Sequence, residues 1–186
     1  MTRFFQVKKK SKLSNARLGS INTNHGKIDT PSFIFCGTKA TVKSVLPSQL
    51  KLARTQIILS NTYHLMLQPG PDIISKEGGL QSFTDWNGPM MTDSGGYQIF
   101  SLGYGSVSEE IKGKNNNAKR KSLIKITEDG ASFRNYLNGD KVFLSPERSI
   151  ELQRDFGADL IFVLDECTPF NVSKKYTEKS MYMSHR

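Results

Sequence analysis

Three apolar runs in this chain end in polar residues: QIILSN ends in Asn61, PMMTD in Asp93 and DLIFVLD in Asp165. An apolar strand in a core has no structural use for a carboxylate at its tip, so a strand that delivers Asp93 to an open turn marks a candidate site. Asp93 is followed at once by Ser94, Gly95, Gly96 and Tyr97, a turn with almost no side-chain bulk and then an aromatic ring. Asp-Ser-Gly-Gly is also a good generic turn. Taken alone, the stretch supports a site and a plain turn equally.

The runs that carry these residues are continuous rather than alternating, which suits parallel strands covered on both faces. Before the third run lies FLSPERSIELQRDFGA, with Ser145 as N-cap, Pro146 at the first helical position, Leu152 and Phe156 four apart, and Gly157 as stop. That pattern predicts a helix feeding a strand. Helix and strand alternating, with polar residues at the strands' C-terminal ends, point to a β/α architecture whose active site lies at that end. The opening segment predicts short strands with a turn at Asn24-His25-Gly26 and a solvated edge at Lys8-Lys9-Lys10, followed by a helix from Pro47 to about Arg54. GYGSVSEEIKGKNNNAKRKSLIKITEDGAS, between Leu102 and Phe133, is expected to be an exposed loop, its KGKNNNAKRK core polar, basic and without periodicity. YTEKSMYMSHR reads as a helix with no glycine cap. A complete (β/α)8 barrel needs roughly 200 to 250 residues, so 186 residues suggest about half of one.

Composition narrows the partners. With 26 Lys and Arg against 17 Asp and Glu, the formal charge of +9 favours a polyanion such as nucleic acid over a small neutral ligand. Cys36 and Cys167 lack C-x-x-C spacing, and His25, His64 and His185 are scattered, so neither a disulfide framework nor a metal-ligand pattern is visible. No run approaches a membrane span, and MTRFFQVKKKSKLS lacks an apolar signal core. A cytoplasmic location is expected.

Taken together, NTYHLMLQPG (Asn61 to Gly70), GGLQSFTDWNGPMMTDSGGYQIFSL (Gly78 to Leu102), LSPERSI (Leu144 to Ile150) and GADLIFVLDECTPF (Gly157 to Phe170) resemble the N-terminal half of the bacterial tRNA-guanine transglycosylase family, also called queuine tRNA-ribosyltransferase. The resemblance implies an irregular TIM (β/α)8 barrel that exchanges guanine at the tRNA wobble position for a 7-deazaguanine, queuine or its 7-aminomethyl precursor, in queuosine biosynthesis. It implies a carboxylate attacking the ribose C1′ to give a covalent RNA-enzyme intermediate. Asp93 then resembles the general acid/base that handles the proton on the departing or arriving base. Ser94, Gly95 and Gly96 would let the backbone approach the base, and Tyr97 would stack on it. Asp165 resembles the carboxylate that accepts from the ring N–H and amino edge, Cys167 the pocket wall, and Asn61 and His64 supporting residues.

The same resemblance implies a single partial domain, with an N-terminal β segment over residues 1–36 and the first half of the barrel over 37–186, carrying a basic insertion near 103–130. The family's nucleophilic Asp, its anticodon-loop arginines and its Cys and His zinc ligands would lie beyond Arg186, so this chain is expected to bind no zinc and to be inactive alone. tRNA, guanine and 7-deazaguanine are the expected partners, with a homodimer in the complete family and no membrane. Two alternatives stand beside it: Asp93 and Asp165 as the carboxylate pair of a barrel glycosidase, and a non-catalytic RNA-binding or partner subunit.

Overall fold

The computed structural model describes residues 3–104 and 124–186 and has a mixed α/β structure. It divides into two compact units, Met1–Asp93 with Gln153–Ile161, and Ser94–Leu152 with Phe162–Arg186. Among the described residues no helix is long and apolar enough to cross a membrane.

The first unit opens with β1 (Phe5–Lys10), β2 (Arg17–Thr23) and β3 (Gly26–Thr30), an antiparallel sheet in that order. The turn between β2 and β3 falls at Asn24-His25, where the sequence predicts it, and Gly26 follows at φ 141, a value that favours glycine. A second sheet is parallel throughout. Its strands are β4 (Phe35–Cys36), β5 (Ile58–Ser60), β6 (Met90–Thr92) and β10 (Leu160–Ile161), in the order β10-β6-β5-β4. Ile57, Ile58 and Met90 are buried, as expected for apolar runs in a covered sheet.

Short helices connect these strands: α1 (Pro47–Leu52), α2 (Thr62–Leu67), α3 (Pro71–Lys76) and α4 (Leu80–Thr84). Proline occupies the first turn of α1, and the Gln49 side chain accepts from the Leu46 N–H at 2.8 Å, which closes the helix start. Leu65, Ile74 and Leu80 supply the buried side of α2, α3 and α4.

The second unit contains α5 (Gly96–Tyr104), an antiparallel sheet of β7 (Lys125–Thr127), β8 (Gly130–Arg134) and β9 (Lys141–Leu144), and α7 (Lys174–His185). Between β9 and β10 the chain forms α6 (Pro146–Asp155), capped where the sequence places the cap, with the Arg148 N–H donating to Ser145 Oγ at 3.1 Å. Leu152 and Phe156 are both fully buried, and Gly157 ends the segment at φ 72.

Two expectations are corrected. The third apolar run is a strand only at Leu160–Ile161; Phe162 and Val163 are exposed, and Asp165 lies four residues past the strand in irregular backbone. The stretch between Leu102 and Phe133 is not all loop. Lys125–Thr127 and Gly130–Arg134 pair as a hairpin, and burial of Ala131 and Phe133 gives the pair an apolar side. The KGKNNNAKRK stretch, 112–121, lies outside the described residues.

The first unit is tied together at the beginning of β6 and β10 by Asp159, whose side chain is 1% exposed. Its Oδ2 accepts from the Met90 N–H at 3.0 Å and from Gln81 Nε2 at 3.2 Å. Oδ1 lies 2.9 Å from His25 Nδ1 and accepts from the His25 N–H at 3.3 Å, while the Asp159 N–H donates to the Met90 carbonyl at 2.9 Å. One carboxylate thus joins the β2–β3 turn, α4 and β6. Asp159→Ala leaves the Met90 N–H without its acceptor and breaks the contacts of Gln81 and His25 with the carboxylate, a loss on the order of 3 kcal/mol. Urea denaturation should show that loss as a lower midpoint, and a change below about 1 kcal/mol would mean the carboxylate does not bind these segments together.

Candidate active site

In the first unit, β5 and β6 run parallel with Ser60 opposite Thr92, so Asn61 and Asp93 leave neighbouring strand tips side by side. Three consecutive residues then meet Asp93. Its N–H donates to the Ser60 carbonyl at 3.2 Å, its Oδ2 accepts from Asn61 Nδ2, and its Oδ1 accepts from the Thr62 N–H at 2.9 Å. Thr62 Oγ1 donates to the Asp93 carbonyl at 2.6 Å. Cys36 Sγ lies 3.7 Å from Asn61 Oδ1 as donor, which turns the amide so that its nitrogen faces Asp93. His64, on the first turn of α2, has its pKa lowered by burial first and by the Lys39 charge second, with Asp93 opposing both.

In the second unit, Gly95 takes φ 89 and α5 begins at Gly96, whose N–H donates to Ser94 Oγ at 3.2 Å. Ser94 is buried, its Oγ donates to Asp165 Oδ1 at 3.2 Å, and its carbonyl accepts from Ser149 Oγ at 2.8 Å. A Cβ on Gly96 would stand 2.5 Å from the Asp165 carbonyl oxygen and 2.8 Å from Oδ1. The space cleared by this glycine is therefore occupied by Asp165 itself, whereas the sequence suggested room for a base.

Asp165 sits beside a half-open pocket lined also by Gly96, Phe100, Gly130, Cys167 and Met183. The irregular segment around it is pinned by α7. Tyr176 Oη donates to Glu166 Oε1 at 2.7 Å, Ser180 Oγ donates to the Glu166 carbonyl at 3.1 Å, and the Glu166 N–H donates to Ser184 Oγ at 3.1 Å. Glu166 is fixed on both main-chain groups, and its neighbours Asp165 and Cys167 are held at the pocket wall. Tyr97, half exposed, keeps its ring 6.3 Å from that of Phe100.

The structure thus brings Asn61 together with Asp93 in one unit, and Ser94, Gly96 and Asp165 together in the other, with Cys167 on the pocket of Asp165. Sequence reasoning missed Thr62, Ser149 and the serines of α7. Thr62 had a signal, since a hydroxyl residue directly after a strand-terminal Asn sits where a helix begins. Ser149 and the α7 serines had none, because their partners lie far along the chain. Among the described residues no three His, Cys, Asp or Glu side chains are grouped so that they could together hold a metal ion.

Comparison with known proteins agrees with the motif pattern. The family model described as queuine tRNA-ribosyltransferase matches residues 11–186. A queuine tRNA-ribosyltransferase of Protochlamydia amoebophila is 46% identical over all of this chain and 48% of its own length. That of Roseiflexus sp. is 44% identical over all of this chain and 46% of its own. The Staphylococcus aureus N315 protein of the same name is 46% identical over 96% of this chain and 42% of its own. The chain spans about half the length of the curated relatives it matches. By the match over 11–186, it belongs to the queuine tRNA-ribosyltransferase family.

Proposed function

We propose that this chain supplies the base-recognition and proton-transfer part of a tRNA-guanine transglycosylase, which exchanges guanine at the wobble position in the tRNA anticodon loop for a 7-deazaguanine. One observation carries the proposal. The T-D-S-G-G and L-D-E-C-T-P segments, 71 residues apart, meet where Ser94 Oγ donates to Asp165 Oδ1. A carboxylate held by one hydroxyl beside a pocket suits a base edge that offers two parallel N–H donors.

Asp165 accepts from the ring N–H and the amino group of the purine, Cys167 lies along its edge, and the Tyr97 ring stacks on its face. Asp93 handles the proton. Breaking the bond between the ribose C1′ and the base nitrogen leaves the electron pair on the nitrogen, and an acid that protonates the base there makes it a better leaving group. The incoming base needs the reverse transfer, so one carboxylate serves both directions. The group that attacks C1′ and the family's zinc ligands are proposed to lie outside these 186 residues, and no step above uses a metal.

The four parallel strands are proposed to belong to a (β/α)8 barrel. In support, their spatial order follows their sequence order without the reversal that marks an open doubly wound sheet. The net charge of +9 suits the phosphates of a tRNA.

Asp165→Asn presents one acceptor to two donors, so guanine affinity measured by equilibrium dialysis falls about 10- to 100-fold. Unchanged affinity removes Asp165 from base recognition. In the complete enzyme that carries these residues, Asp93→Asn abolishes incorporation of labelled guanine into tRNA while tRNA affinity changes less than about threefold, because phosphate contacts dominate that affinity. A parental exchange rate would remove the acid/base role. Gly96→Ala displaces Asp165 through the contact described above and weakens guanine binding by at least about tenfold. If the alanine variant binds guanine normally, the close approach of Gly96 and Asp165 has no part in the site.

A further inference from the structure

We propose that Thr62 is the positioning residue for Asp93, fixing its carboxylate plane and its main chain at once so that the acid meets the base in a single orientation. This inference rests on the acid/base role proposed for Asp93.

An aspartate carboxylate has a broad, roughly two-fold torsional preference about its last bond, so the side chain alone does not set the plane of its two oxygens. A single donor would leave the group free to pivot about the bonded oxygen. Here two donors reach different oxygens, Asn61 Nδ2 at Oδ2 and the Thr62 N–H at Oδ1, and together they define the plane. The Thr62 N–H is held by the first turn of α2, so it is a fixed reference, whereas Asn61 reaches Asp93 through a side chain.

The hydroxyl adds a separate constraint. Thr62 Oγ1 donates to the Asp93 carbonyl at 2.6 Å from a residue with no exposed surface. That bond fixes the peptide between Asp93 and Ser94 just before the chain turns at Gly95, φ 89. With the Asp93 N–H on the Ser60 carbonyl, every polar group of Asp93 meets residues 60–62. Thr62 makes two of these four bonds. It is buried and bonded to Asp93 through both its main chain and its hydroxyl, so its effect is on orientation. Orientation errors near 1 Å cost on the order of 100-fold in rate.

The experiment compares Thr62→Val, Thr62→Ser and Asp93→Asn in the protein carrying these residues, using labelled guanine exchange in tRNA with melting temperature as control. Thr62→Val keeps the shape and the main-chain N–H on Oδ1, and loses the hydroxyl that holds the Asp93 carbonyl. Its kcat is expected to fall about 10- to 100-fold with KM for guanine within about twofold. Thr62→Ser should return kcat to within about threefold of the parent. A parental kcat in Thr62→Val, with Asp93→Asn inactive, overturns the positioning role and leaves the acid/base role standing. A serine variant as slow as the valine variant also overturns it, since packing of the methyl would then be the cause. If Asp93→Asn exchanges guanine at the parental rate, the acid/base role itself fails and takes this inference with it. Should Thr62→Val melt more than about 5 °C below the parent, Thr62→Cys, a weak donor, replaces it under the same criteria.

Discussion

A carboxylate buried away from water must be met by donors, and Asp159 meets that condition with groups from three distant parts of the chain. His25, Gln81 and Met90 lie 134, 78 and 69 residues away in sequence, and all three reach its two oxygens. The β2–β3 turn, α4 and the start of β6 are thereby fixed to the start of β10. The tips of the same strands could not hold a defined geometry if their beginnings were free to move. The ends that carry the candidate site inherit their order from the ends joined through Asp159.

The two candidate carboxylates are held in different ways. Asp93 follows a strand and is gripped by main-chain and amide donors whose positions are set by β5 and α2. Asp165 lies in irregular backbone, where no ladder satisfies the peptide groups, and there side chains do that work. Ser94 orients the carboxylate, while Ser180, Ser184 and Tyr176 of α7 fix Glu166 beside it. Four hydroxyls thus take the place that regular structure occupies around Asp93.

The covered parallel strands were legible in the sequence because continuous apolar runs have few other uses, and QIILS and PMMT became β5 and β6. The cap at Ser145 and the turn at Asn24 were legible because both depend on local chemistry. Asp159 was not. A polar residue opening an apolar run looks like a boundary, and nothing local shows that its partners come from up to 134 residues away. The hairpin from Lys125 to Arg134 was hidden by its polar composition, although Asp129-Gly130 is a recognised turn signal and Ala131 and Phe133 alternate with polar residues. At the site, the polar strand tips pointed to Asn61 and Asp93 correctly as neighbours. The Gly-Gly pair was legible as a demand for space, but only the structure shows that Asp165 fills the space beside Gly96.

β6 is only three residues long. Side chains along a strand take alternate faces, so a slip of one residue exchanges the faces of every position beyond it. A long strand resists such a slip with many cross-strand contacts, and a short one has little to oppose it. In this chain the parity of β6 is set at its first residue, where the N–H and carbonyl of Met90 both bond Asp159. Thr92, pointing to Gln153 Oε1 at 3.0 Å, checks the count two residues later, one position before Asp93. The side of the sheet on which the Asp93 carboxylate emerges is thus decided by a counting rule, with Asp159 as its zero.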